Sequence, residues 1–304
     1  MHKIQIIQSN QILDFPETPH EFTRAQLLAF TQNIIEYQSG NINFQKLKTN
    51  CVYAFLNMKR TANLSNKDHK TVIESINQLS KLIEPYFTTK REKGKELKVI
   101  NMQFHTQHLP SITVGNTVFH GPIDALFNTV YGEYLQAITH LTDFTQNPQP
   151  ETLNLLIATL YRPEKPNYNT IKTHPDFDGD IRIKFNPNLT ETYAQTLAQL
   201  PYHVKYAIFL YLASSQHFIA TNSALEIGGG NTIDLTMLFS KTSNNTKTAN
   251  GLGMIGTLYS LAETKVFGNV KDVAETNTYD ILAFLVNQKT EFEKLNKKQH
   301  ATTT

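Results

Sequence analysis

The chain has 304 residues, 40% hydrophobic and 18% charged, which is too apolar and too weakly charged for a disordered polypeptide. A single cysteine, Cys51, excludes an internal disulfide, and a formal charge of +2 gives no ground for nucleic-acid binding. Met1 to Gln5 lack the apolar run of a signal peptide, and no stretch of about 20 apolar residues could span a membrane, so a soluble, cytoplasmic globular protein is expected.

Lys3-Ile4-Gln5-Ile6-Ile7 reads as a short strand, followed by a loop through Asn10, Asp14 and Pro16. A helix should start near Thr18, where Thr18-Pro19-His20-Glu21 has capping-box spacing, or at Thr23, with Gln26 three residues on. Leu27, Phe30, Ile34 and Ile35 continue it at roughly helical spacing, and Gly40 stops it. Two further helices are expected over residues 44–58 and 65–86. Residues 88–98 are polar and charged, and read as a boundary or a long exposed loop. Alternation over residues 97–105 is the strongest strand signal, and Gly115-Asn116 between Ile112 and Phe119 reads as a tight hairpin.

Beyond Asn128 the pattern turns helical, with Tyr131, Tyr134, Leu135, Ile138 and Leu141 on one face, and a shorter helix follows Pro150. Four prolines make residues 162–187 an irregular excursion. Asn188-Leu189-Thr190-Glu191 has the spacing of another capping box, opening a helix to about Leu200. Residues 203–220 are the most apolar helix, yet His203, Lys205 and Gln216 make it a core helix and not a membrane span. Residues 240–250 read as a mobile polar loop, and the last helices, between Gly253 and Lys298, divide near Gly268-Asn269. The expected fold is mainly α with a small antiparallel β element, helical subdomains surrounding a β-hairpin. Residues 1–90 would form one subdomain, residues 91–298 a second, and residues 299–304 a frayed tail.

Charge is unevenly placed: residues 1–100 carry 14 Lys+Arg against 9 Asp+Glu, and residues 101–168 carry 2 against 5. The basic excess lies around Lys81 to Lys98 and reads as a solvated helix end, with a phosphate-binding patch as the alternative. Asp176, Asp178 and Asp180 alternate on a turn and are the best metal candidates, calcium being the natural ion. The spacing fails the calcium-loop template, since Pro187 stands where a bidentate Glu is needed, so an acidic turn with Asp180 paired to Arg182 or Lys184 is preferred. His105, His108 and His120 have no Cys or HExxH partner and read as hairpin histidines. Gly228-Gly229-Gly230-Asn231 lacks the Lys-Ser/Thr of a phosphate loop and reads as a flexible loop with an Asn231 cap. Cys51 reads as a small core residue.

Six segments together carry a resemblance: Phe22 to Leu28, Val118 to Leu126, Tyr131-Gly132-Glu133-Tyr134, Leu156 to Arg162, Leu200 to Tyr206, and Leu258 to Gly268. In this order they resemble proteins of the structural-gene clusters of tailed phages and prophage-like elements of Bacteroidetes bacteria. The resemblance implies a tail assembly factor or structural protein whose partners are other tail components, in the host cytoplasm or in a virion-like particle. Read as residues alone, Gly121-Pro122 turns the chain sharply, Glu133 suits a helix N-terminus and Arg162 suits exposed C-terminal carbonyls. The expected function is therefore non-enzymatic protein binding without a cofactor, with no nucleic-acid or membrane partner and with self-association left open. Leu258, Tyr259, Leu282, Phe284 and Leu285 are the candidate contact residues, offering more apolar surface than a terminal helix pair needs. The alternative is a metal-dependent enzyme or a calcium-binding domain built on the acidic turn near Asp178.

Overall fold

A computed structural model of the chain describes residues 1–6, 10–59, 66–92, 94–239 and 255–302. The architecture is mainly α with small antiparallel sheets of two or three strands. No helix among the described residues is long and apolar enough to cross a membrane. The chain forms two compact units. The first comprises Met1–Leu109 with Leu200–Tyr211, and the second Pro110–Gln199 with Leu212–Thr304. The division thus falls beyond residues 88–98, and a segment from the later sequence belongs with the N-terminal unit.

The first unit opens with β1 (His2–Ile6) and β2 (Gln11–Phe15), paired antiparallel from His2↔Phe15 to Ile6↔Gln11. Residues 11–15, expected as loop, are therefore a strand. Thr18 caps only a three-residue 3-10 turn and makes no side-chain cap bond. The main helix α1 (Arg24–Gln38) instead starts at Thr23, whose hydroxyl accepts from the Gln26 N–H while the Gln26 amide oxygen accepts from the Thr23 N–H. Next come α2 (Phe44–Phe55), capped by Asn43, and α3 (Asn66–Ser80), which tightens into a 3-10 segment at Lys81–Tyr86. The polar tract that read as a boundary or loop forms instead a two-stranded ribbon, β3 (Phe87–Glu92) with β4 (Lys95–Ile100), in register Phe87↔Ile100. Phe22, Phe30, Phe55, Tyr86 and Phe104 form one ring cluster at the centre of this unit, with Phe30 stacked on Phe104 at 5.3 Å. Cys51 is fully buried, and burial pushes its thiol up to about 12.

In the second unit β5 (Ser111–Val114) and β6 (Thr117–His120) form the expected hairpin. Then follow α4 (Tyr131–Gln146), α5 (Pro150–Leu160), β7 (Arg162–Pro163), the single turn α6 (Tyr168–Ile171) and α7 (Thr190–Leu197). Helix α5 packs between α4 and α7, and β7 extends the hairpin by pairing with β6. Asn188 does not cap α7: the N-cap is Leu189, without a side-chain bond, and Asn186 caps the 3-10 turn before it. Helix α8 (Tyr202–Thr221) belongs to the first unit up to Tyr211 and to the second thereafter. In the first unit its start is tied to α1: the Thr31 hydroxyl donates to the His203 carbonyl at 3.1 Å and the Gln38 amide to the Tyr206 hydroxyl at 3.0 Å.

The three glycines at 228–230 are not a flexible loop. They turn a hairpin between β8 (Leu225–Gly228) and β9 (Asn231–Ile233), so Asn231 lies in a strand and caps nothing. The short α9 (Thr236–Phe239) has Asp234 accepting from the Thr236 N–H. Residues 240–250, expected as a polar loop, lie outside the described residues. Helices α10 (Ile255–Thr264), α11 (Val270–Glu275) and α12 (Thr278–Thr302) complete the unit, with Asn269 and Asp272 forming the capping box that starts α11. Because α12 runs to Thr302, residues 299–302 are helical where a frayed tail was expected.

Candidate functional site

Two segments that are far apart in sequence build the floor of the site. Residues 162–165 and 181–183 run antiparallel, with the Lys165 N–H on the Ile181 carbonyl and the Ile183 N–H on the Pro163 carbonyl, each at 2.9 Å. The proline-rich excursion is thereby closed at its base, and this closure sets Arg162 and Arg182 side by side. Glu133, in the first turn of α4 and 1% exposed, faces both. Arg162 Nη1 lies 2.9 Å from Glu133 Oε1, and Arg182 Nη1 lies 2.6 Å from the same oxygen. Asp180 closes the set with a fork on Arg182, Nε to Oδ1 at 2.9 Å and Nη2 to Oδ2 at 2.8 Å.

Two cations thus meet two carboxylates in the interior. Burial works against the charge on Arg182, but Glu133 and Asp180 outweigh it and hold the guanidinium more firmly protonated than usual. The spare donors are also satisfied: Arg162 donates to the Thr159 and Ile183 carbonyls, and Arg182 to those of Leu160 and Asn128. The Tyr131-Gly132-Glu133 and Leu160-Tyr161-Arg162 motifs therefore meet in one ion network. Sequence reasoning assigned Glu133 and Arg162 separately to helix termini and missed that they pair, because a buried charge reads in sequence like a surface one. Gly121 is also needed for more than a turn, since a Cβ there would come within 2.6 Å of the buried Tyr161 ring.

The three aspartates of the acidic turn do not converge. Asp176 pairs with His174 at 3.5 Å, Asp178 binds Lys165 at 2.6 Å, and Asp180 serves Arg182. Burial raises the Asp178 carboxyl, but the Lys165 amine and the Asp180 N–H prevail and hold it below the ordinary carboxylate range. Among the described residues no group of three or more His, Cys, Asp and Glu side chains is arranged to hold a metal ion.

Beside this network the second unit carries an open groove of about 870 Å³. Its walls include Leu135 of α4, Ile183, Phe185 and Leu189 of the segment before α7, Leu258 of α10 and Ala274 of α11. Gly132 lets α4 approach α11 closely, because a Cβ there would meet Ala274 at 3.2 Å. Lys184, Lys271 and Glu275 line one side, with Lys184 2.7 Å and Lys271 4.0 Å from the Glu275 carboxylate. A smaller polar cavity of about 480 Å³ lies over the ion network and shares Val130, Lys184, Phe185 and Glu275 with the groove.

The five apolar candidates differ in exposure. Leu258 lines the groove and Tyr259 is exposed, whereas Leu282 is buried. Phe284 is half-buried with its ring 5.2 Å from that of Phe267, and Leu285 is half-buried on α12. Six of the fifteen residues that line the groove come from 183–189, of which 183–187 read in the sequence as part of the irregular excursion. Comparison with known protein families, with curated proteins and with solved structures gives no match for the chain.

Proposed function

We propose that the chain is a non-catalytic protein-binding component and, on its sequence resemblance, one that serves the assembly or structure of a phage-like tail. The observation that carries the reading is the apolar groove. Its surface is mainly apolar, it is open to solvent, and the charge-neutral ion network lies beside it. Such a surface suits an apolar segment of a partner protein better than a polar substrate. Two lysines share the single carboxylate of Glu275 on the rim, so the segment that fits best has an acidic residue beside its apolar anchors. The acidic turn lends no support to the metal-dependent alternative, because Asp178 and Asp180 are engaged by Lys165 and Arg182.

The test is a photo-cross-linking residue placed at Leu258 or Leu189, with the exposed Thr113 of β5 as control, in cells co-expressing the neighbouring tail-cluster proteins. The groove positions should cross-link one of those proteins and Thr113 should not. With that protein purified, Leu258→Asp should weaken binding by roughly tenfold or more, as expected for an interface anchor. No cross-link from the groove, or equal yields from all three positions, would overturn the reading.

A further inference from the structure

Among the described residues, α12 carries an apolar stripe that emerges into solvent towards its C-terminal end. Ile281, Leu285, Gln288, Phe292 and Leu295 follow one another at alternating spacings of four and three, which places them in one stripe along the helix. The burial of this stripe changes steadily along the helix. Ile281 is fully buried and Leu285 half-buried, but Phe292 is 64% and Leu295 57% exposed. An adjacent face is held in place, with the Lys289 amine donating to the Met237 carbonyl and the Thr290 hydroxyl lying near the Met237 sulfur. From Lys289 to Thr302 the helix runs on for roughly 20 Å at 1.5 Å per residue, so the exposed apolar stripe stands on a formed helix rather than on a loose end.

The charges beside the stripe are self-complementary in one direction only. Glu291 and Lys298 lie seven residues apart on the same flank, and both are exposed. If two copies of the helix pair antiparallel with Phe292 against Leu295 of the other copy, each Glu291 comes opposite the other copy's Lys298 and the pair forms twice. A parallel pairing would set Glu291 beside Asn296 and gain no ion pair. We propose that this end of α12 is a self-association surface, on which a second copy of the chain docks as a short antiparallel coiled coil centred on Phe292 and Leu295. Glu291 already pairs within its helix with Lys294 at 2.8 Å, so the intermolecular bond adds a second cation to a carboxylate that is oriented along the helix. Four apolar side chains at the centre make a contact well below the standard interface size, so the dimer is weak and forms with rising concentration. This inference is independent of the groove, and its failure would leave the proposed partner site untouched.

Sedimentation equilibrium of the full chain over a range of concentrations, at low and moderate salt, tests it. The wild type should show a reversible monomer–dimer equilibrium. Phe292→Asp should abolish it with an unchanged circular dichroism spectrum. Glu291→Lys and Lys298→Glu should each weaken it by roughly tenfold through like-charge contact, and the two together should restore it. Oxidising a mixture of Glu291→Cys and Lys298→Cys chains should give mainly the mixed disulfide, since the native Cys51 is buried. A wild type that stays monomeric at the highest concentration, a dimer indifferent to Phe292→Asp, or a predominance of like-with-like disulfides would overturn the proposal.

Discussion

Glu133 is a buried carboxylate of the second unit. It faces two guanidiniums in the interior, and removing its charge leaves Asp180 as their remaining carboxylate, 2.8 Å from Arg182 and 3.9 Å from Arg162. Breaking a buried pair by deleting one partner costs about 3–5 kcal/mol. Glu133→Gln should therefore lower the unfolding free energy by about that amount, read from the shift in a urea transition at constant slope. Asp178→Asn is the matched control, because the Asp178 side chain is 63% exposed. Its loss should cost about 0–1 kcal/mol, the range for solvent-exposed pairs. The sign with pH follows from the lowered Asp178 carboxyl. Its small contribution is present above the ordinary aspartate range and is lost as pH falls through the lowered value, so the control differs from wild type above that range and not in acid. A Glu133→Gln protein as stable as Asp178→Asn would mean that the two arginines are not held by Glu133. The pairing of Asp180 with Arg182 was legible in the sequence, but the part of Glu133 was not, because it lies 29 residues from Arg162 and 49 from Arg182 and nothing local marks any of them as buried.

At the scale of elements, helices were legible where an apolar stripe and a cap agreed. Thr23 with Gln26 is such a case, and so is the split of the last helices at Gly268-Asn269, where Gly268 takes φ +88 and Asn269 opens α11. The Asn269→Ala variant should cost about 1 kcal/mol, the usual value of an N-cap, and should speed amide exchange in α11 while leaving α5 unchanged. Exchange rates in α11 equal to those of wild type would show that tertiary contacts, not the cap, hold the helix. Strands were less legible, for a physical reason. Strands β2 and β3 bury little, so no apolar alternation announces them, whereas the alternation over residues 97–105 marks β4 but runs past its end at Ile100. Cross-strand contacts such as Arg91 with Glu96 and Lys98 with Thr89 accompany the pairing instead, and in sequence these are only polar residues. Asn188 misled in the opposite way, since its capping pattern is present but Asn186 caps the preceding turn. The groove was equally hidden, because its wall at residues 183–189 has no periodicity and comes together only when the excursion closes.

At the scale of the whole molecule, neither unit is a continuous stretch of chain. The first needs Leu200–Tyr211, and from that segment Val204, Ala207, Ile208 and Leu210 are buried. A fragment ending at residue 109 keeps the aromatic cluster but loses these side chains and the α8 groups that meet Thr31 and Gln38. It should not unfold cooperatively. Cys51 offers a direct reading, since in the full chain burial raises its thiol to about 12 and shields it. In the fragment the thiol should react with a disulfide reagent at a rate close to that of the denatured chain. A fragment with a protected Cys51 and a sharp urea transition would show that the first unit folds without α8.

The division of α8 between the units also has a temporal consequence. On the ribosome, residues 1–109 emerge first, and the whole of Pro110–Gln199 must be made before Leu200 appears. At about 5–20 residues per second, that intervening stretch takes roughly 5–20 s to synthesise. For that interval the nascent chain carries an aromatic core that lacks the helix that completes it, much longer than the fraction of a second in which small domains commonly fold. A cell making this protein quickly must shield that surface on every copy, whereas a chain diluted from denaturant has all its segments at once. Yield in the cell should accordingly depend on chaperone supply more steeply than refolding in the tube depends on any additive.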